Sequence, residues 1–193
     1  MVGVLKQLNN NLITMNTIKK LYANILKNET LLAIDPGLLA VGVAVFQNCK
    51  LKAVCSIRAK KQKNQEDTRL WVITKSIQNL LQKYNPTILA IENQYLAIRS
   101  NSIIKVIEVK GIIKGLYISQ CLDRKIIPKI LEINPIEAKR AIGVIKKLKR
   151  KESKEAVSKK IVQLYPKLIN SNQDIKDAVA IGIAGWNKLI INS

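Results

Sequence analysis

The chain has 193 residues, of which 33 are Lys or Arg and 13 are Asp or Glu, so its net charge is +20. Its apolar fraction of 48% is enough for one globular domain with its own core, and the length excludes two domains of ordinary size. A cationic field of this size attracts polyanions, which makes nucleic acid the leading partner.

Cysteine and hydropathy patterns exclude several other classes of protein. The three cysteines form no Cys-x-x-Cys pair and the chain has no histidine, so we expect neither a zinc site nor a disulfide framework. Apolar runs are only a few residues long, and residues 1–28 lack the apolar core of a secretory signal. We therefore expect a cytoplasmic protein of a bacterium or virus, without a membrane partner.

Residues 1–28 predict an amphipathic helix that precedes the main domain. Apolar residues recur at three- and four-residue steps from Leu5 to Ile25, and the lysines lie outside that stripe. Because the segment contains no acid, an organellar targeting peptide is one alternative; sequence upstream of a start at Met15 is another. We divide the chain into this extension and a domain over residues 29–193.

The pattern beyond residue 28 predicts an α/β domain. Apolar runs at residues 31–34, 41–46 and 51–57, separated by short turns, predict three antiparallel strands. Two further runs, at residues 88–91 and 130–133, predict the remaining strands of a five-stranded sheet.

Helical periodicity fills the intervals between and after these strands. A helix through residues 70–81 is closed by Pro86, and residues 102–120 form the strongest helix. The apolar arc of that second helix is wide enough for burial against the sheet and against a second subunit. Helices beginning at Pro135, Ser153 and Asp174 complete the order β-β-β-α-β-α-β-α-α-α, with Asn134 capping the first of the three.

Four acids stand out by their positions. Asp35 and Glu92 each end an apolar strand, where an ionised carboxylate is costly unless it is neutralised. Asp174 and Asp177 share one face of the last helix, whose small apolar residues require close packing on the sheet. The alternatives are structural: Asp-Pro-Gly is a common turn, and acids in a first helical turn match the helix dipole.

Together these carboxylates would form an all-oxygen site, which suits Mg²⁺ or Mn²⁺ rather than zinc. Two such ions about 4 Å apart can stabilise the attacking water and the leaving 3′-oxygen of a phosphodiester. In so basic a chain this is the arrangement of a nuclease, because lysines hold the nucleic-acid backbone while cations offset the repulsion between it and the acids.

The acids lie in three motifs that resemble those of the RuvC-type Holliday-junction resolvases, over roughly residues 31–186. IDPG at residues 34–37, AIENQ at 90–94 and DIKDAVAI at 174–181 are similar to the first strand, the second ligand-bearing strand and the ligand-bearing helix of that family. Some members carry His at the last ligand position. This chain has Asp177 there, so four carboxylates are implied.

The resemblance implies a ribonuclease H-like fold, with a five-stranded mixed sheet flanked by helices, and a structure-selective DNA endonuclease. Its expected activity is the resolution of four-way junctions by paired metal-dependent nicks during recombination and repair. The cofactor would be two Mg²⁺ ions, for which Mn²⁺ can substitute, held by Asp35, Glu92, Asp174 and Asp177. Lys154 is a further expected catalytic residue. The expected partners are four-way junction DNA, a second copy of the chain and a branch-migration motor. The N-terminal extension departs from the family pattern.

Further residues are expected to contact DNA. Tyr95 falls where the family carries an aromatic that stacks on bases opened at the junction centre, although a packed tyrosine is the alternative. Lysines and arginines would contact phosphates, most of them without sequence preference. The predicted basic contacts are Lys110, Lys139, Arg140, Lys146, Lys147, Lys149, Arg150, Lys151 and Lys154.

Three other functions compete with this interpretation. An actin-like or sugar-kinase ATPase also begins with Asp-x-Gly after its first strand, but it needs a second glycine-rich phosphate loop and a second domain. A ribonuclease H-like enzyme that cuts structured RNA would share the carboxylates. A noncatalytic junction-binding module would bind without cutting, and it would leave the four acids unexplained.

Overall fold

The computed structural model describes residues 28–37, 39–58, 66–93, 101–145 and 148–191. Almost all of the predicted N-terminal helix lies outside these ranges, as do Tyr95, Lys146 and Lys147. The strands are β1 (Thr30–Asp35), β2 (Ala40–Gln47), β3 (Lys50–Arg58), β4 (Ile88–Glu92) and β5 (Lys129–Ile133). The helices are α1 (Glu66–Tyr84), α2 (Asn101–Asp123), α3 (Pro135–Ala141), α4 (Arg150–Leu164) and α5 (Gln173–Ile191), with a short 3-10 turn at Pro166–Leu168.

The five strands form one mixed sheet in the order β3-β2-β1-β4-β5. The first three strands pair antiparallel, while β4 and β5 add in parallel beside β1. Asn48 and Cys49 have φ of 52° and 61°, which suits the two-residue turns that match the twist of a hairpin. The predicted meander and the five-stranded mixed sheet are confirmed.

Helices cover the sheet on both faces, and the alternation of side chains along the strands decides which face each residue joins. Leu31 and Ala33 pack into the cluster around α5, while Leu32 and Ile34 pack into the cluster that includes α1 and α2. On the α5 face, a Cβ at Gly182 would overlap the Phe46 ring. The glycine therefore lets α5 lie close on β2. Among the described helices, none is long and apolar enough to cross a membrane.

Two predicted helix starts are wrong by one to three residues. α4 begins at Arg150 rather than Ser153, because the Lys149 N–H donates to a Glu152 carboxylate oxygen at 3.2 Å and fixes an earlier first turn. α5 begins at Gln173 rather than Asp174. The second predicted helix also extends beyond its expected ends at 102 and 120, to Asn101 and Asp123.

Candidate active site

Strand pairing places Asp35 and Glu92 on one face at one edge of the sheet. β1 and β4 run parallel with Ile34 beside Ile91, and each acid follows by one residue at the strand end. Because side chains alternate, both acids lie on the same face as Ala33 and Ala90, two residues earlier, which pack into the α5 cluster. Their carboxylates therefore belong to the side of the sheet that α5 covers.

A glycine in β2 allows α5 to bring the third acid to this edge. Gly42 is the register partner of Asp35 in the β1–β2 ladder. A Cβ at Gly42 would collide with the backbone of Asp174, so no other residue would let the first turn of α5 lie directly on the strand pair. Asp174 is thereby held next to Asp35, and Asp177 follows one turn later.

Burial and mutual repulsion make the ionised state of this group costly. Burial, together with the neighbouring charges of Glu92, Asp177 and Asp174, raises the pKa of Asp35 well above its usual value, while Lys154 opposes the rise. Burial, followed by the charge of Asp177, raises the pKa of Glu92 to about 7. Neighbouring carboxylates with raised pKa values are typical of a metal site, where a bound cation offsets their mutual repulsion.

The pKa of Asp177 is also raised, but a hydrogen bond holds its carboxylate in place. Burial raises its pKa, and a hydrogen bond from the Gln173 side chain partly offsets the rise. Gln173 Nε2 donates to Asp177 Oδ1 at 2.8 Å, across one turn of α5. The same contact fixes the orientation of the carboxylate.

The donor set fits a hard divalent cation. All four candidate ligands offer oxygen only, and a cation among them would relieve the repulsion that raises the pKa values of three of them. Over the ranges that the structure describes, no three acidic or cysteine side chains already form a closed metal cluster. Coordination of one ion by three of these acids would therefore require their side chains to rotate towards each other.

A cleft of about 420 Å³ opens beside the acids, between α3, α4 and α5. Glu92 and Asp177 line this cleft, and so do Lys139, Arg150 and Lys154. We call these three basic residues, together with the exposed Lys149 and Lys151 beside Arg150, the basic wall. Asp35 and Asp174 are not among the residues that line the cleft. An anionic polymer entering the cleft would meet lysines and acids together, as nuclease chemistry requires.

Two of the predicted DNA contacts each influence two of the acids. Lys154 lowers the pKa values of Asp35 and Asp177, and Lys139 lowers those of Glu92 and Asp177. Lys139 is placed by α3, whose first turn is fixed by reciprocal hydrogen bonds between Asn134 and Glu137. These two ammonium groups are therefore close enough to the acids to act at the same phosphate.

The other predicted basic contacts occupy three different settings. Lys149, Arg150 and Lys151 are exposed at the start of α4. Arg140 lines a separate cavity between α3 and α5. Lys110 forms an ion pair with Glu132 at 3.2 Å and donates to Asn93 Oδ1 at 3.3 Å, and its charge also lowers the pKa of Glu92.

Sequence reasoning missed three residues that shape the site: Gly42, Gln173 and Ser153. The signal at Gly42 was its place inside an apolar strand, where glycine often marks a close backbone approach. The signal at Gln173 was its spacing of four residues from Asp177. Ser153 is buried in the wall of the cleft, and a serine on the apolar face of a helix is the corresponding signal.

The sheet order and the acids at its edge define a ribonuclease H-like nuclease. The sequence profile of the family described as "Crossover junction endodeoxyribonuclease RuvC" matches residues 31–185. The chain belongs to this RuvC family. The predicted family, fold class and enzyme class are thereby confirmed, and metal-dependent nuclease activity is general in the family.

Individual relatives agree with this assignment. The RuvC of Prochlorococcus marinus strain SARG is 31% identical over 160 residues, covering 80% of this chain and 96% of the relative. The RuvC of strain MIT 9312 is 26% identical over 161 residues, covering 82% and 96%. Both alignments span nearly the whole of the relative.

Solved structures show the same fold at lower identity. The structure described as T. thermophilus RuvC in complex with Holliday junction substrate matches with a TM-score of 0.62 at 19% identity, covering 84% of this chain and 96% of that one. The yeast mitochondrial Holliday junction resolvase matches with a TM-score of 0.53 at 16% identity, covering 86% and 81%.

Proposed function

We propose that this chain is a DNA endonuclease that resolves four-way junctions by paired metal-dependent nicks during recombination and repair. The observation that carries the proposal is the gathering of three acidic motifs at one sheet edge, beside a cleft with a basic wall. Family membership supports the reaction class, since its members are crossover junction endodeoxyribonucleases.

Asp35, Glu92, Asp174 and Asp177 would hold two Mg²⁺ ions, or Mn²⁺ in their place. Bound there, the ions would activate a water molecule and stabilise the leaving 3′-oxygen. The chain itself orients the substrate. Lys139 and Lys154 attract the scissile phosphate into the cleft, and Gln173 holds Asp177 towards it.

Further lysines and arginines would supply affinity for the rest of the DNA. Arg140, Lys149, Arg150 and Lys151 are proposed phosphate contacts, together with Lys110, Lys146 and Lys147. Such contacts act on any duplex and weaken with salt. Tyr95, three residues after Glu92, is the proposed base-stacking residue that favours a junction.

A homodimer is proposed through the outer face of α2. The inner face is buried through Val109, Ile113 and Tyr117, and an apolar stripe remains exposed on the opposite side. That stripe consists of Ile104, Ile107, Ile118 and Leu122. Gly111 and Gly115 lie within it, and a Cβ on either would meet nothing within 4 Å.

Two-fold symmetry matches the two equivalent strands that a junction presents for cutting. Leu122→Lys should therefore convert a dimer to monomers in sedimentation experiments, because it buries a charge in the shared face. Lys105→Ala, on the same helix, is the control. A wild-type chain that stays monomeric on the junction would contradict the proposal.

The remaining assignments concern the setting of this enzyme. We propose that residues 29–193 form the nuclease domain, that residues 1–28 are a helical extension, and that the protein acts in the cytoplasm. A branch-migration motor is its proposed protein partner.

The direct experiment incubates the full chain with a synthetic four-way DNA junction, with and without Mg²⁺. Paired nicks at symmetric positions, with ligatable 5′-phosphate ends, are expected only when the metal is present. Linear duplex and structured RNA are tested beside the junction. Faster cleavage of the RNA would replace the DNA assignment, and binding without cleavage would replace the enzymatic one.

A further inference from the structure

A lysine between the two helical acids is buried. Lys176 is only 7% exposed, and its side chain lies against α4 and the segment that follows it. Its Nζ donates to Ser158 Oγ at 2.8 Å and to the Ile169 carbonyl at 3.5 Å. Across the ranges that the structure describes, no acid forms an ion pair with it. The ammonium is therefore held by neutral partners alone.

Such a group is costly to bury without an anion. An ammonium has three N–H donors, and the two neutral acceptors leave one of them for another partner. Taking a charge out of water is compensated best by an opposite charge nearby. A phosphate oxygen would supply both the missing acceptor and the missing charge.

The surroundings of Lys176 suit such an anion. It lines a recess of about 510 Å³ on the side of α4, together with Lys151, Lys154 and Lys159. Within the described part of the chain, the walls of this recess carry one acid, Glu155. Four lysines against one acid give the recess a net positive charge.

The recess also adjoins the cleft that holds the acids. Lys154 lines both, so the two spaces meet at this residue. A DNA strand whose scissile phosphate lies at Glu92 and Asp177 could pass over Lys154 and present a flanking phosphate to Lys176. One strand would then occupy both spaces without a conformational change in the protein.

We propose that this recess binds a backbone phosphate that flanks the scissile phosphate, with Lys176 as its positioning residue. This inference rests on the proposed function and adds a second, fixed contact to the same strand. Exposed lysines must be immobilised when DNA binds, whereas Lys176 is already held by Ser158 and Ile169. A contact of this kind sets the register of the strand in the cleft.

The experiment measures junction binding by the full chain in EDTA, so that no strand is cut, over a range of salt concentrations. Lys176→Met should weaken binding about tenfold, the loss of one charge-assisted contact. It should also reduce the slope of log affinity against log salt by about 0.9. Lys188→Met is the matched control, since Lys188 lies on the same helix and donates to the Glu132 carbonyl at 3.3 Å.

Single methylphosphonates, which remove the charge of one phosphate at a time, locate the contact. The wild-type protein should lose affinity when one flanking phosphate is neutralised, and Lys176→Met should be indifferent at that position alone. Identical patterns for the two proteins would overturn the proposal. Cleavage of the unmodified junction by the wild-type chain in Mg²⁺ is read separately, because its absence would count against the proposed function instead.

Two further experiments distinguish the proposal from a purely structural role of Lys176 and from the binding of a free anion. Ser158→Ala removes the hydrogen bond but keeps the ammonium, so it should lower thermal stability while leaving the salt slope unchanged. Equal binding losses in Ser158→Ala and Lys176→Met, with unchanged slopes, would make Lys176 only a clamp between helices. The second experiment asks whether inorganic phosphate raises the Tm of the wild type but not that of Lys176→Met, while no methylphosphonate changes binding. That result would show that the recess binds a free anion, and it would overturn the proposed contact with the DNA strand.

Discussion

The acidic edge of the sheet and the basic wall of the cleft beside it differ in burial, and burial decides how easily a single residue of each can be replaced. Asp35 and Glu92 end strands that α5 covers, Asp177 lies on α5 itself, and burial raises the pKa of all three. Most lysines and arginines of the wall are exposed and can replace one another. A partly buried acid of this group is therefore individually necessary, whereas an exposed lysine contributes as one of many.

The largest expected effect is at the acidic edge. Asp35→Asn, Glu92→Gln and Asp177→Asn should each lower junction cleavage at least about 10³-fold, because each removes charge from the centre that stabilises the transition state. Junction affinity, measured by gel shift in EDTA, should stay nearly unchanged. Wild-type cleavage in any one variant would remove that residue from the site.

Replacing Tyr95 tests whether selectivity for a junction over duplex comes from a residue other than the acids and the basic wall. Base–aromatic stacking contributes about 1–3 kcal/mol, so Tyr95→Ala should lower junction cleavage at least about tenfold. Duplex affinity should change less than about twofold, because phosphate contacts dominate it.

Tyr95→Phe keeps the ring and is the control, with near wild-type rates expected. If a correctly folded Tyr95→Ala protein cuts junctions normally, the tyrosine is a packing residue.

The basic wall should divide into two groups when lysines are replaced in pairs. Lys139→Ala with Lys154→Ala should lower the cleavage rate at saturating junction, because these groups lie near the acids. Lys149→Ala with Lys151→Ala should instead weaken junction and duplex binding alike and reduce the salt slope by about 1.8, or 0.9 for each phosphate contact. Equal changes in cleavage rate and in affinity in the two double variants would show that all these lysines play the same role.

The smallest effect concerns stability and pH in the absence of metal. Glu92 has a folded pKa of about 7 against an ordinary 4.5, so the folded state binds more protons between these values. Its contribution to stability is therefore present at low pH and is lost as the pH rises through 7. Tm in EDTA should fall between pH 5.5 and 8 by a few degrees, where about 2–4 °C corresponds to 1 kcal/mol.

Glu92→Gln should reduce that fall, and Mg²⁺ should raise the wild-type Tm most at high pH, where the carboxylates are ionised. A pH dependence equal in wild type and Glu92→Gln would mean that other groups set it.

The positions of the four acids in the fold could be predicted from the sequence because each acid carries local information. An apolar run that ends in Asp35 or Glu92 identifies both a strand and its end, and parallel pairing then places the two acids side by side. The helix of Asp174 is identified by its small residues, which only close packing on a sheet explains. The helix starts at Arg150 and Gln173 were missed because they depend on hydrogen bonds that residue type indicates only weakly. These are the bond from the Lys149 N–H to Glu152 and the bond from the Ile175 N–H to Asn172 Oδ1 at 3.0 Å.

The basic wall could not be ordered from sequence, because exposed lysines differ only in what the fold brings near them. Lys139 and Lys154 became distinct once α3 and α4 were placed against the acids. Lys176 is the opposite case, a buried lysine whose burial the sequence does not indicate. Between two predicted ligands it has the pattern of a solvent-facing residue, and its burial results from the packing of α4 and Ile169 over it.

The central claim is that Asp35, Glu92, Asp174 and Asp177 form one metal centre, and counting bound Mn²⁺ tests it most directly. Electron paramagnetic resonance can count the ions on full-length protein bound to a junction with uncleavable linkages at the exchange point. Two ions per chain are expected for the wild type, and fewer for Asp35→Asn at the same free Mn²⁺. Equal Mn²⁺ binding by wild type and Asp35→Asn would contradict the claim.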